Sequence, residues 1–105
     1  MRHGFLWRDG RHELGFPCVQ GVSDRGVFRE IRRAAPGELT DREQRALFDR
    51  AEATARALFE AGYFGPFGID AYRYRDGFCA QSELNARYTM GFVTGFPRPP
   101  HELVL

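Results

Sequence analysis

The chain has 105 residues, a formal net charge of +1, 43% apolar and 28% charged residues. That suffices for one small domain with its own core, residues 1–105. The near-neutral balance gives no electrostatic footing for nucleic acid or a membrane surface. No run is long and apolar enough to span a bilayer, and residues 1–30 carry no basic flank, apolar stretch and small-residue cleavage site, so the expected compartment is the cytoplasm.

Fifteen arginines stand against no lysine. GC-rich coding accounts for that bias in bulk, and bidentate contact with phosphate or carboxylate is argued only for Arg87 below. Cys18 and Cys79 are far apart and form no CxxC, which favours free thiols, with a disulfide left open.

In chain order, Phe5-Leu6-Trp7 and the run His12 to Gln20 read as strands joined at Asp9-Gly10, where Gly tolerates the positive φ of a tight hairpin turn. Pro17 places part of the second run at an edge or a bulge. Asp24-Arg25-Gly26 is a further turn signal, and Val27 to Ile31 a third strand, so the first third is expected to be an antiparallel meander.

Thr40-Asp41-Arg42-Glu43 is a capping box that opens a helix. The helix is expected to reach about Ala61, with Gly62 as its C-terminal stop. Leu47, Ala51, Ala55 and Leu58 recur at helical spacing, flanked by Phe48 and Phe59, and form a stripe that faces a sheet. Pro66 moves Gly65 out of helical geometry. Two strands follow, about 67–75 and 78–87, joined at Asp76-Gly77. Beyond Thr89-Met90-Gly91 the pattern weakens, and Pro97, Pro99 and Pro100 oppose regular structure up to an irregular end at 101–105. The expected fold is α+β, a mostly antiparallel sheet with one long helix packed on one face.

A two-residue turn at Asp76-Gly77 would pair Arg75 with Phe78, Tyr74 with Cys79, Tyr72 with Gln81 and Asp70 with Glu83. Alternation along the strands then gives the helix Ile69, Ala71, Phe78, Ala80, Leu84 and Ala86. The open face receives Asp70, Tyr72, Tyr74, Gln81, Glu83, Asn85 and Arg87. Two carboxylates in register repel each other unless a proton or a cation lies between them. Asp70, Glu83 and Asn85 together offer hard oxygen donors for a divalent ion, and Arg87 offers a planar fork for phosphate or carboxylate. A merely polar open face and a glycosidase-type acid pair are the other readings of the same residues. His3, His12 and His101 are scattered and suggest no catalytic arrangement.

Gly65, Gly68-Ile69-Asp70, Asp76-Gly77, Glu83-Leu84-Asn85-Ala86-Arg87 and Thr89-Met90-Gly91 together resemble the C-terminal lobe of the ATP-grasp superfamily. The resemblance covers about thirty residues, Gly62 to Gly91. It implies Mg2+ (or Mn2+) held by Asp70, Glu83 and Asn85 between ATP phosphates. It also implies Arg87 on phosphate or an acyl-phosphate, and a ligase that joins a carboxylate substrate to an amine or thiol. Tyr72, on the same face, could contact adenine. The family's phosphate-binding lysines and glycine-rich flap have no counterpart here. The chain is therefore expected to be a fragment or isolated lobe, inactive alone, whose parent supplies the N-terminal and central lobes. The alternative is a non-enzymatic module that binds a protein partner or a second copy as a homodimer.

Overall fold

The computed structural model describes residues 1–22, 28–88 and 92–96. Its elements are β1 (Arg2–Leu6), β2 (His12–Leu14), β3 (Cys18–Val22), β4 (Phe28–Arg33), α1 (Asp41–Glu60), β5 (Gly65–Tyr74), β6 (Gly77–Asn85) and α2 (Phe92–Gly95). The fold is α+β: a four-stranded antiparallel sheet in the order β2-β1-β5-β6, a long helix against one face, and a separate two-stranded ribbon of β3 and β4.

Helix α1 begins where the capping box places it. Thr40 Oγ1 accepts the Glu43 amide at 3.0 Å, and Glu43 Oε1 accepts the Thr40 amide at 3.0 Å, satisfying two otherwise free N–H groups. Gly62, at φ +86°, follows the last turn. Leu47, Ala51, Thr54 and Ala55 are buried against the sheet. Ile69 joins Leu47 and Ala51 in one cluster, and Phe67 joins Leu6 and Ala55 in another. Phe48 and Phe59, expected beside the stripe, remain exposed at its margins; the Arg2 guanidinium lies over the Phe48 ring. On the opposite face of the sheet, α2 seats Phe92 and Phe96 against Phe5.

Two expectations are corrected. The run His12 to Gln20 is two strands in different sheets, because the chain turns away at Gly15-Phe16-Pro17. The first third is thus a hairpin plus a separate ribbon, not one meander. The first loop is longer than two residues: Leu6 pairs with His12, and Gly10, at φ +92°, sits inside a turn in which the Trp7 N–H donates to the Arg11 carbonyl and the Gly10 N–H to the Trp7 carbonyl. Phe92–Gly95, where the sequence pattern weakens, forms one helical turn. The expected turn at Asp24-Arg25-Gly26, the stretch Thr89-Met90-Gly91 and the segment 97–105 lie outside the described residues.

Candidate functional site

The β5–β6 ribbon carries the site. Both strands come from the part of the sheet anchored by Phe67 and Ile69, which are fully buried. Asp70 and Glu83 are cross-strand partners, flanked by Ile69 opposite Leu84 and Gly68 opposite Asn85. Directly opposed residues in an antiparallel pair hold their Cβ atoms about 4.5–5.5 Å apart. Asn85 Nδ2 donates to Asp70 Oδ2 at 3.4 Å, and Arg87 Nη2 donates to Asn85 Oδ1 at 3.2 Å. Asp70, Asn85 and Arg87 thus form one polar chain, with Glu83 across from its acidic end. Asp70 and Asn85 are half-buried, whereas Glu83 and Arg87 are exposed.

The route to this register differs from the expected one. Tyr74 pairs with Gly77, Arg73 with Phe78 and Tyr72 with Cys79, so the turn residues are Arg75-Asp76. Between Tyr72 and Asp70 the ladder slips: Ala71 alone on β5 spans Ala80, Gln81 and Ser82 on β6. This β-bulge restores the Asp70–Glu83 pair that the turn register by itself would miss. It also corrects the expected place of Gln81, which turns to the helix instead of the open face. There Gln81 Oε1 accepts from Arg50 Nε at 2.7 Å and from Thr54 Oγ1 at 3.0 Å. Arg50 and Thr54 escape a reading of the ribbon alone. The available signal is a hydroxyl, Thr54, inside the apolar stripe of α1.

Tyr72 and Tyr74 lie exposed along β5, their rings 5.8 Å apart. Beside Asp70 a cleft of about 580 Å³ opens, lined by Met1, Cys18, Tyr72 and Phe78 among others. Burial lowers the pKa of the Met1 ammonium, while interactions with Cys18 and with Asp70 act to raise it. Cys18 and Cys79 are free thiols.

As donors, two carboxylates and an amide oxygen suit a hard divalent cation. The amide must present oxygen for this, and Asn85 now turns Nδ2 to Asp70; a rotation about its last torsion exchanges the two atoms. Among the described residues there is no cluster of three or more His, Cys, Asp or Glu side chains, so a metal here would rely on Asn85, on water or on ligand oxygens to complete its shell. No helix among the described residues is long and apolar enough to cross a membrane. Compared with known proteins, the chain matches no family model, no curated protein and no solved structure.

Proposed function

We propose that the chain is the C-terminal lobe of an ATP-grasp carboxylate ligase, and that its β5–β6 ribbon is the metal-and-phosphate wall of the nucleotide site. The observation that carries this reading is the cross-strand pairing of Asp70 with Glu83, with Asn85 and Arg87 continuing the polar chain. Two acids in register have no structural benefit for a sheet, since like charges directly opposed destabilise it. A divalent cation turns that repulsion into a binding site.

Asp70, Glu83 and Asn85 would hold Mg2+ or Mn2+, which neutralises phosphate charge and aligns the transferred group. The Arg87 fork suits a phosphate or acyl-phosphate oxygen pair, and the exposed Tyr72 ring offers a face for adenine. The carboxylate to be activated and the lysines on the nucleotide would come from lobes outside these residues. The lobe alone therefore has little ligase activity.

Backbone NMR with Mg2+, then ATP, tests the reading. Shifts localised to Asp70, Glu83 and Asn85 are expected at millimolar metal. Unchanged signals at those three residues would overturn it.

A second reading, a non-enzymatic module that docks a protein or a second copy, is favoured by a different observation. Tyr72, Tyr74 and Leu84 are 53%, 51% and 39% exposed on a ribbon whose outer strand β6 is a sheet edge. Light scattering separates it: a concentration-independent monomer argues against the homodimer form.

A further inference from the structure

The register that opposes Asp70 to Glu83 is not dictated by the hairpin turn. From Tyr74–Gly77 to Tyr72–Cys79 the ladder runs without a slip. Continued for two more residues, it would set Asp70 against Gln81. A slip of two positions keeps the side chains on either side of the bulge on their own faces of the sheet, because the side-chain period is two. The apolar pattern of β6 therefore cannot choose between the two registers, and Ile69 finds a β6 partner in either. Something specific must hold the extra residues of the bulge.

We infer that Thr54 and Gln81 are positioning residues that lock the bulge and thereby set the carboxylate pair. Three contacts converge on it. Thr54 Oγ1, on a residue only 4% exposed, donates to Gln81 Oε1 at 3.0 Å. Arg50 Nε donates to the same oxygen at 2.7 Å. Ser82 Oγ donates to the Asp70 backbone carbonyl at 3.2 Å, tying the far end of the bulge to the acid itself. Gln81 is thus drawn to the helix face at the middle of the bulge, whose flanking residues Cys79 and Glu83 are paired in the ladder. In the unbulged register Gln81 would stand opposite Asp70 on the open face, and the buried Thr54 hydroxyl would lose this acceptor, which disfavours that state. Bulges re-aim side chains next to functional sites in this way. The helix takes part in the site without touching it: α1 selects the register, and the register assembles the acids.

The structural half of this inference stands alone; its consequence for metal rests on the function proposed above. The experiment separates them. Thr54→Val removes the hydroxyl with little change of shape, and Gln81→Met removes the acceptor. The two are studied singly and together, with Thr54→Ser as the rescue. Cross-strand backbone NOEs report the register with no ligand present. In the wild type, Asp70 should show contacts to Glu83; in the folded double variant those contacts should move to position 81. Thr54→Ser should keep the wild-type pattern. Retention of the Asp70–Glu83 contacts in the folded double variant would overturn the inference; if the double variant does not fold, the same reading is taken from each single variant.

Mn2+ binding, followed by the relaxation of water protons, is the second readout. Loss of an orienting partner lowers metal affinity by about 10–100-fold. That loss should accompany the register change and be reversed by Thr54→Ser. A register change in the variants, with a wild type that binds no Mn2+, would sustain the positioning role and reject the metal reading. Unchanged Mn2+ affinity despite a changed register would reject the link between them.

Discussion

His3 and Gly68 face each other across the β1–β5 ladder, and a Cβ on Gly68 would stand 2.9 Å from His3 Cδ2. Gly68 is not among the glycines with positive φ, so it serves by its lack of volume. The His3 ring is 2% exposed and packs edge-on to Phe92, 6.2 Å between centroids, so it has little room to yield. Gly68→Ala should therefore destabilise the fold. Overpacking costs about 1–3 kcal/mol, against a gain of about 0.4–1 kcal/mol from the stiffer unfolded chain. Urea unfolding should show a lower midpoint at unchanged slope; a raised midpoint would mean that His3 gives way freely.

The same histidine makes stability depend on pH. Burial, aided by the nearby Met1 ammonium, lowers the His3 pKa from 6.5 to about 4. A base with a depressed folded pKa binds its proton more readily when unfolded. Stability from keeping His3 neutral is thus complete above pH 6.5 and is lost progressively as the pH falls to about 4. By the size of the shift the loss is on the order of 3 kcal/mol. His3→Gln should flatten this part of a stability–pH curve while leaving the more acidic part in place.

That acidic part belongs to Glu38 and Glu43. The Arg73 guanidinium, 2.6 Å from Glu43 Oε1, holds the Glu43 carboxyl at about 2, helped by the Thr40 amide; Arg32 does the same for Glu38. For acids with depressed folded pKa values the sign is that stability is present above about pH 4.5 and falls as the pH approaches 2. Glu43→Gln keeps an N3 acceptor for the capping box but removes the charge, so it should lessen the pH dependence in this window. Thr40→Ala instead should cost about 1 kcal/mol at all pH values, by loss of the cap. Parallel acid titrations of the two variants, followed by circular dichroism, distinguish charge from capping.

What could be read in the sequence follows how local each feature is. The helix was legible at both ends, because Thr40, Glu43 and Gly62 act on their own neighbours. The Asp70–Glu83 pairing was also legible, but through a register that the ribbon does not follow near its turn. The assumed Asp76-Gly77 loop set every pair two residues too far along β6 near the turn, and the bulge happened to supply the same two residues. Its cause is the meeting of Gln81 with Thr54 and Arg50, residues 27 and 31 positions away, and no spacing rule within a hairpin contains it. The division into two sheets was hidden for a similar reason. Gly15 lies against the backbone of Gly95, where a Cβ would come within 2.7 Å of the carbonyl oxygen, and this close approach turns the chain out of the main sheet. Its presence in the sequence is a lone glycine before Phe16-Pro17.

The carboxylate pair predicts a trade between stability and binding. With no cation present, Glu83 opposite Asp70 places like charges face to face on an otherwise well-anchored ribbon. Cross-strand pairs of this kind are worth roughly 0.2–1 kcal/mol, with an unfavourable sign for like charges. Glu83→Gln relieves the repulsion and keeps the shape of the side chain. In metal-free buffer the variant should therefore unfold at a slightly higher temperature than the wild type. On adding Mg2+ or Mn2+ the order should reverse: a ligand that binds only the folded state raises its stability with concentration, and only the wild type retains both acids. Differential scanning calorimetry with chelator and with millimolar metal reads both terms on one sample pair. A variant that is less stable without metal would show that Glu83 serves the sheet itself, and an equal metal response in both proteins would remove Glu83 from the site.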